Sequence, residues 1–281
     1  MRIVMDDAGD IPAELVAKHK IVVVPVNIHF GTEEFLSGVE MDLPAFYRKV
    51  ETVSSANFPK TSQPNPYQFS EAYRAILAEG DNEILVITVS EKLSKTYASA
   101  IAAANELGDE ATVHVFDSMS GSIGQGFMAL EAARMSEAGA SYADILKRLE
   151  YMREKQAIAF LIHSLEFAVK GGRVSALRST MASLLNIKPV MQLKQGEIVE
   201  AGKVRTHKKA MQFMIDFVKS QVGDQPVKLA YIHANTAEGA AALQALAGPA
   251  FNSTEELTVD LCVAVAINLG PGTLGLVAIP E

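Results

Sequence analysis

Hydroxyl groups supply the most suggestive chemistry in this chain. Thr61 and Ser62 stand in "KTSQPNPYQF", residues 60–69, just ahead of a helix start, and Ser90, Ser94 and Thr96 stand in "SEKLSKTYASA", residues 90–100, after an apolar run. Neutral donors beside a helix N-terminus suit a carboxylate or phosphate. The first backbone N–H groups there are unsatisfied, and the aligned peptide dipoles favour an anion. The same residue types cap helices and close turns, so the residues alone leave both roles open. Asp6, Asp7, Asp117 and Ser118 end two further apolar runs. Carboxylates repel an anion at close range, and the reading favoured for them is loop fixing through backbone N–H groups. No dense oxygen-ligand pattern of a calcium loop accompanies them, and no metal is expected.

Two glycine-containing stretches follow. In "HSLEFAVKGGRVSALRS", Gly171 and Gly172 break a helix ahead of Arg173, which can meet an anion, a partner protein or a neighbouring carboxylate. In "NLGPGTLGLV", Asn268 precedes Gly270, Pro271 and Gly272, a loop able to press its backbone on a ligand or to serve as a plain turn. Neither stretch has the spacing of a phosphate loop or a dinucleotide fingerprint. His29, His114 and His163 lie in or beside apolar segments, where a satisfied structural histidine is expected. His233 ends a strand-like run, and no GxSxG elbow accompanies it. No catalytic residue is assigned.

These residues sit on an alternation of strands and helices. Residues 2–5, "EILVITV" at 83–89 and "ATVHVF" at 111–116 read as strands. "IVVVPVNIHF" at 21–30 reads as a β segment that Pro25 marks as an edge or an irregularity. Asp10 with Pro12, Asp42 with Pro44 and Asn65 with Pro66 read as helix starts. Phe69, Tyr73, Ile76 and Leu77 recur at helical spacing, and Tyr97, Ile101 and Ala104 mark the next helix. Such alternation predicts a mostly parallel sheet with helical crossovers. After about residue 156 the grammar changes. "KPVMQLKQGEIVEAGKVR" predicts a hairpin turning at Gln195 and Gly196, and "THKKAMQFMIDFVKS" predicts a helix buried along Met211, Met214, Ile215 and Val218. "VKLAYIHA" reads as a strand, "EGAAALQALA" as a helix, and "LTVDLCVAVAI" and "LGLVAI" as β-like. The expected organisation is an α/β domain over 1–157 and a second, mixed-sheet α/β domain over 158–281.

Bulk properties narrow the classes. The chain has 281 residues, 49% hydrophobic and 21% charged, with a formal charge of -8. That is the composition of a folded domain protein. Its only compact basic run is "VRTHKKA" at 204–210, which argues against a nucleic-acid partner. One cysteine, Cys262, excludes an intrachain disulfide and fits a reducing, cytoplasmic setting. No stretch reaches the roughly 18 to 20 apolar residues of a transmembrane segment, and the N-terminus lacks a signal-peptide layout.

Taken in order, "VMDDAGDIP" (4–12), "TSQP" (61–64), "SEKLSKTYASA" (90–100), "FDSMSGSIGQG" (116–126), "LEFAVKGGRVS" (165–175), "LLNIKPVMQLKQGEI" (184–198), "KVRTHKKA" (203–210) and "LGPGTLG" (269–275) resemble the DegV family of fatty-acid-binding proteins. The resemblance covers nearly the whole chain. It implies a two-domain α/β protein that holds one long-chain fatty acid between its domains and needs no cofactor. The carboxylate would meet Thr61, Ser62, Ser94 and Thr96, with Ser94 as the contact and Thr96 mainly as helix cap. It further implies a separate fatty acid kinase as partner, which phosphorylates the presented carboxylate for phospholipid synthesis; transient contact with a membrane surface stays open. Arg173 matches the family arginine near the carboxylate or the kinase contact, and Asn268 and Gly270 belong to the final loop. Three positions depart from the family pattern: Lys95 replaces a glycine, Asn268 a common histidine, and Asp7 a common serine.

Two other readings stay open at this stage. One is an enzyme acting on a phosphorylated or carboxylated small molecule, with Asp6, Asp117 or His233 as base. The other is a regulatory module whose lipid occupancy alters a protein contact, with residues 203–209 as its surface.

Overall fold

A computed structural model describes residues 1–54, 57–174 and 187–281. Ser175 of the glycine–arginine stretch and residues 184–186 of the following motif lie outside the described residues. The chain divides into two compact units, Met1–Arg153 with Cys262–Ala264, and Glu154–Leu261 with Val265–Glu281. The two-domain α/β class follows directly.

In the first unit, β1 (Arg2–Asp6), β2 (Val22–Val24), β6 (Glu83–Thr88) and β7 (Thr112–Asp117) form a parallel sheet in the order β2-β1-β6-β7. Pro25 stops β2 on the edge of that sheet, and the chain restarts as β3 (Asn27–Phe30) in a separate antiparallel sheet, β4-β3-β5, with β4 (Glu33–Leu36) and β5 (Lys60–Ser62). This small sheet was not foreseen, because β4 and β5 are too short for alternation to stand out.

The helices are α1 (Ala13–Lys18), α2 (Leu43–Val50), α3 (Pro66–Ala78), α4 (Thr96–Leu107), α5 (Ile123–Glu137) and α6 (Tyr142–Lys155). Asp42 caps α2 by accepting from Ala45 N–H. Asn65 and Gln68 form a reciprocal capping box at α3. Asp10 does not cap α1, which begins after Pro12; it ends the short turn Asp7–Gly9 with a left-handed backbone at φ 47°. Its carboxylate is drawn elsewhere, as described below. Phe69, Tyr73 and Ile76 are buried against Val4, Ile84 and Val86 of the sheet and Ala100 and Ala103 of α4. On α4 the buried line is Ala100, Ala103 and Leu107, with Tyr97, Ile101 and Ala104 only half-buried. Alanines let α4 approach α3 closely, and the Tyr73 hydroxyl donates to Ala100 O at 3.2 Å.

The second unit contains one mixed sheet in the order β10-β9-β8-β13-β11-β12. Its strands are β8 (Ala157–Leu161), β9 (Lys188–Lys194), β10 (Glu197–Val204), β11 (Pro226–His233), β12 (Asn252–Asp260) and β13 (Leu274–Pro280). Among the described residues of this unit, only β11 and β12 pair in parallel. Gln195 and Gly196 turn the β9–β10 hairpin, both at positive φ. Ala157, read as the end of the first domain, opens β8 of this sheet. Its described helices are α7 (Leu165–Gly171), α8 (His207–Val222), α9 (Ala237–Ala247) and, from Val265 on, α10 (Val263–Leu269). Met211, Met214, Ile215 and Val218 are buried as the spacing predicts. "VAVAI", expected as strand, is helix α10. A short apolar run buried on all sides carries no period that separates strand from helix. Among the described residues, no helix is long and apolar enough to cross a membrane.

Candidate functional site

α3 leads into β6 and α4 leads from β6 into β7, all within one parallel sheet. Both helices therefore start at the carboxyl ends of the strands, where open α/β sheets bind ligands. The candidate polar groups of the first unit fall into a carboxylate framework and two sets of hydroxyls.

The framework is carboxylate. Asp6, at the end of β1, accepts from Ala8 N–H at 3.1 Å, Val89 N–H at 2.7 Å and Gln125 Nε2–H at 3.1 Å. Burial pushes it up to about 6 in spite of those donors. Asp7 accepts from the Ser37 hydroxyl, and burial raises it too. Asp10 accepts from the Ser122 hydroxyl and from Cys262 N–H at 2.8 Å, and burial pushes it up to about 7. Asp117 accepts from Glu91 N–H at 3.2 Å and Met119 N–H at 3.0 Å. Each aspartate thus holds loop backbone or a loop hydroxyl. Among the described residues, no group of three or more His, Cys, Asp and Glu is arranged to hold a metal.

Two hydroxyl sets surmount this framework. Ser90 O receives Leu93 N–H at 2.9 Å and Ser94 N–H at 3.1 Å, winding the chain into α4. Ser94 Oγ and Thr96 Oγ1 are hydrogen-bonded at 2.8 Å. Thr96 is fully buried and Ser94 half-buried. Thr96 was expected as a cap, but it is the first helical residue. Lys95, exposed, occupies the cap position and makes no side-chain cap bond. The start of α4 therefore carries a hydroxyl pair of which Ser94 is the accessible member.

Thr61 and Ser62 lie on β5, opposite Ile28 and Asn27 of β3 respectively. Neighbouring strand residues face opposite sides. Thr61 shares the side of fully buried Ile28, whereas Ser62 shares that of Asn27 and His29. His29 Nε2 and Ser62 Oγ are 2.9 Å apart. The turn beyond is locked: Asn27 Nδ2 donates to Gln63 O at 3.1 Å, and Gln68 Nε2 to Pro25 O at 3.0 Å. No hydrogen bond among the described residues joins this pair to Ser94 and Thr96. His29 was read as a structural histidine. Only cross-strand pairing, invisible while β5 went unrecognised, reveals its link to Ser62.

The remaining candidates gather in the second unit. Gly172 ends α7 at φ 77°, and Arg173 Nη1–H turns back to Gly171 O at 2.8 Å. Burial lowers the guanidinium from its ordinary value. Asn268 of α10 lies so close that a Cβ on Gly171 would meet its Cα and Oδ1 at 2.9 Å. Gly270, at φ 83°, lies against Phe167 and Ser164, and a Cβ there would meet both side chains within 2.8 Å. Arg173, Asn268 and Gly270 thus converge around α7. His233 Nδ1 lies 3.2 Å from Asp260 Oδ1 at the end of β11.

Comparison with known proteins agrees with this architecture. The DegV family model, described as "Uncharacterised protein, DegV family", matches residues 1–281. This chain belongs to the DegV family. Protein DegV of Bacillus subtilis (strain 168) is 31% identical over 276 residues, covering 98% of this chain and 97% of the relative. A Thermotoga maritima relative, named "Fatty acid-binding protein", is 29% identical over 280 residues, covering 98% and 96%. The solved structure of a DegV family protein from Thermus thermophilus, described by its fatty acid binding, superposes with a TM-score of 0.91 at 32% identity and full coverage of both chains.

Proposed function

We propose that this protein binds one long-chain fatty acid and presents its carboxylate to a separate fatty acid kinase. The observation that carries the reading is the hydroxyl pair at the start of α4, where Ser94 is half-buried on Thr96. A carboxylate placed there gains the Ser94 proton and the first N–H groups of the helix. Thr61 and Ser62, on opposite sides of β5 ahead of α3, are further contacts that the family resemblance assigns, as it does Arg173, Asn268 and Gly270. Relatives named or described for fatty acid binding support the ligand class. An acyl tail supplies affinity without charge pairing, since ten buried methylenes are worth roughly 8 kcal/mol before ordering costs.

The kinase step rests on the resemblance alone. The test is equilibrium binding of a fluorescent 18-carbon fatty acid, then incubation with a fatty acid kinase and ATP, trapping acyl phosphate with hydroxylamine. The proposal expects binding, a loss of at least tenfold in Thr61→Ala/Ser94→Ala, and acyl hydroxamate only when kinase and this protein are both present. Undiminished affinity in the double variant overturns the carboxylate site, and binding without hydroxamate overturns the presentation step.

A further inference from the structure

The hydrogen bond between His29 and Ser62 ties the hydroxyl of a proposed ligand contact to a group that can change charge. A serine hydroxyl has one proton, so its partner decides where that proton points. An imidazolium has only donors. It gives Nε2–H to Ser62 Oγ, and the Ser62 proton is then available to another acceptor. A neutral ring can do either: with its proton on Nε2 it still donates to Ser62, and with its lone pair there it takes the Ser62 proton and turns the oxygen's lone pairs outward, so only the charged ring donates in every state.

We propose that His29 is a positioning residue that makes carboxylate holding by Ser62 proton-linked, tighter when His29 donates. The inference rests on the fatty-acid reading above and deepens it. The geometry is local to the three-stranded sheet: His29 and Ser62 are diagonal neighbours on one face, and their bond is 2.9 Å. On that face β4 sets Glu34 directly opposite His29, and β5 sets Lys60 directly opposite it, so one charge of each sign flanks the ring. From α3 comes the neutral Gln68, engaged with Asn27. The pair of Lys49 with Glu33 belongs to the opposite face, where Lys49 lies over Phe30 and Phe35. Imidazole is the side chain that ordinarily changes charge between about pH 5 and 8, which is the range the experiment scans.

The experiment measures affinity for a fluorescent 18-carbon fatty acid at intervals from pH 5.5 to 8 in the full chain, His29→Gln, Ser62→Ala and Ser94→Ala. Glutamine at 29 still donates to Ser62 but does not titrate. All variants keep the buried aspartates, so their shared slope cancels on comparison. The expected result is a wild-type affinity about 3- to 10-fold weaker at high pH than His29→Gln, with the two alike at low pH. Ser62→Ala should be weaker than wild type and share the flatter profile. As a check free of any folding defect, the His29 imidazole nitrogen signals of the wild type should titrate at higher pH with the fatty acid bound than without. Equal slopes in wild type and His29→Gln, or an unmoved His29 titration, overturn the proposal. Full binding by Ser62→Ala with loss in Ser94→Ala also overturns it while sparing the ligand class. Full binding by both serine variants instead fails the carboxylate reading on which it rests.

Discussion

Ser94 and Thr96 illustrate how function and stability share one hydrogen bond. Thr96 Oγ1 is buried and has Ser94 Oγ as its hydrogen-bond partner at 2.8 Å. Truncating Ser94 therefore strips a ligand contact and leaves a buried hydroxyl unsatisfied, at a cost of about 1–3 kcal/mol. Ser94→Ala should lower both fatty-acid affinity and the urea midpoint. Adding Thr96→Val to it should restore much of the midpoint and none of the affinity, as chemical denaturation and binding on the same samples will show.

Asp10 makes a prediction of a different kind. Its folded value of about 7 lies above the ordinary 3.8, so the folded state holds a proton that the unfolded chain has released. Its contribution to stability accordingly falls as pH rises from about 4 to about 7. Asparagine can keep both bonds, accepting from Cys262 N–H and donating to Ser122. Asp10→Asn should match wild type near pH 4 and exceed it near pH 8, by on the order of 2–4 kcal/mol. A wild-type-like fall across this range in the variant would count against the assignment. Much of this chemistry was hidden in the sequence. Asp10, two residues before Pro12, has the form of a helix cap, and nothing in the order of residues places Ser122 or Cys262 against it.

At the scale of elements, legibility followed length and local chemistry. α3 was readable because Asn65 and Pro66 are adjacent in sequence and its apolar face repeats over three turns. The β9–β10 hairpin was readable because Gln195 and Gly196 fall between two alternating runs. α10 was not, since five of its seven residues are buried and so short a run shows no clear polar face. β4 and β5 were missed because four and three residues offer almost no pattern, and with them went the opposite facing of Thr61 and Ser62. The α3 face invites a direct check. Phe69→Ala opens a cavity between sheet and α4 and should cost about 3–5 kcal/mol in denaturant unfolding, while Tyr67→Ala, on the exposed side of the same helix, should change stability little.

The whole molecule is built so that late sequence completes early structure. Cys262–Ala264 belong to the first unit, and β13, the last strand, lies between β8 and β11 in the middle of the second unit's sheet. Every residue of β13 is buried. Removing residues 274–281 should therefore unfold the second unit, seen as loss of cooperative melting and ready proteolysis, whereas removing Glu281 alone should be tolerated. The central claim concerns the ligand. Native mass spectrometry of the gently purified chain, followed by denaturation and identification of the released molecule, tests it most directly. The account predicts a one-to-one complex that releases a long-chain fatty acid. A chain that arrives empty and takes up no added fatty acid would contradict it.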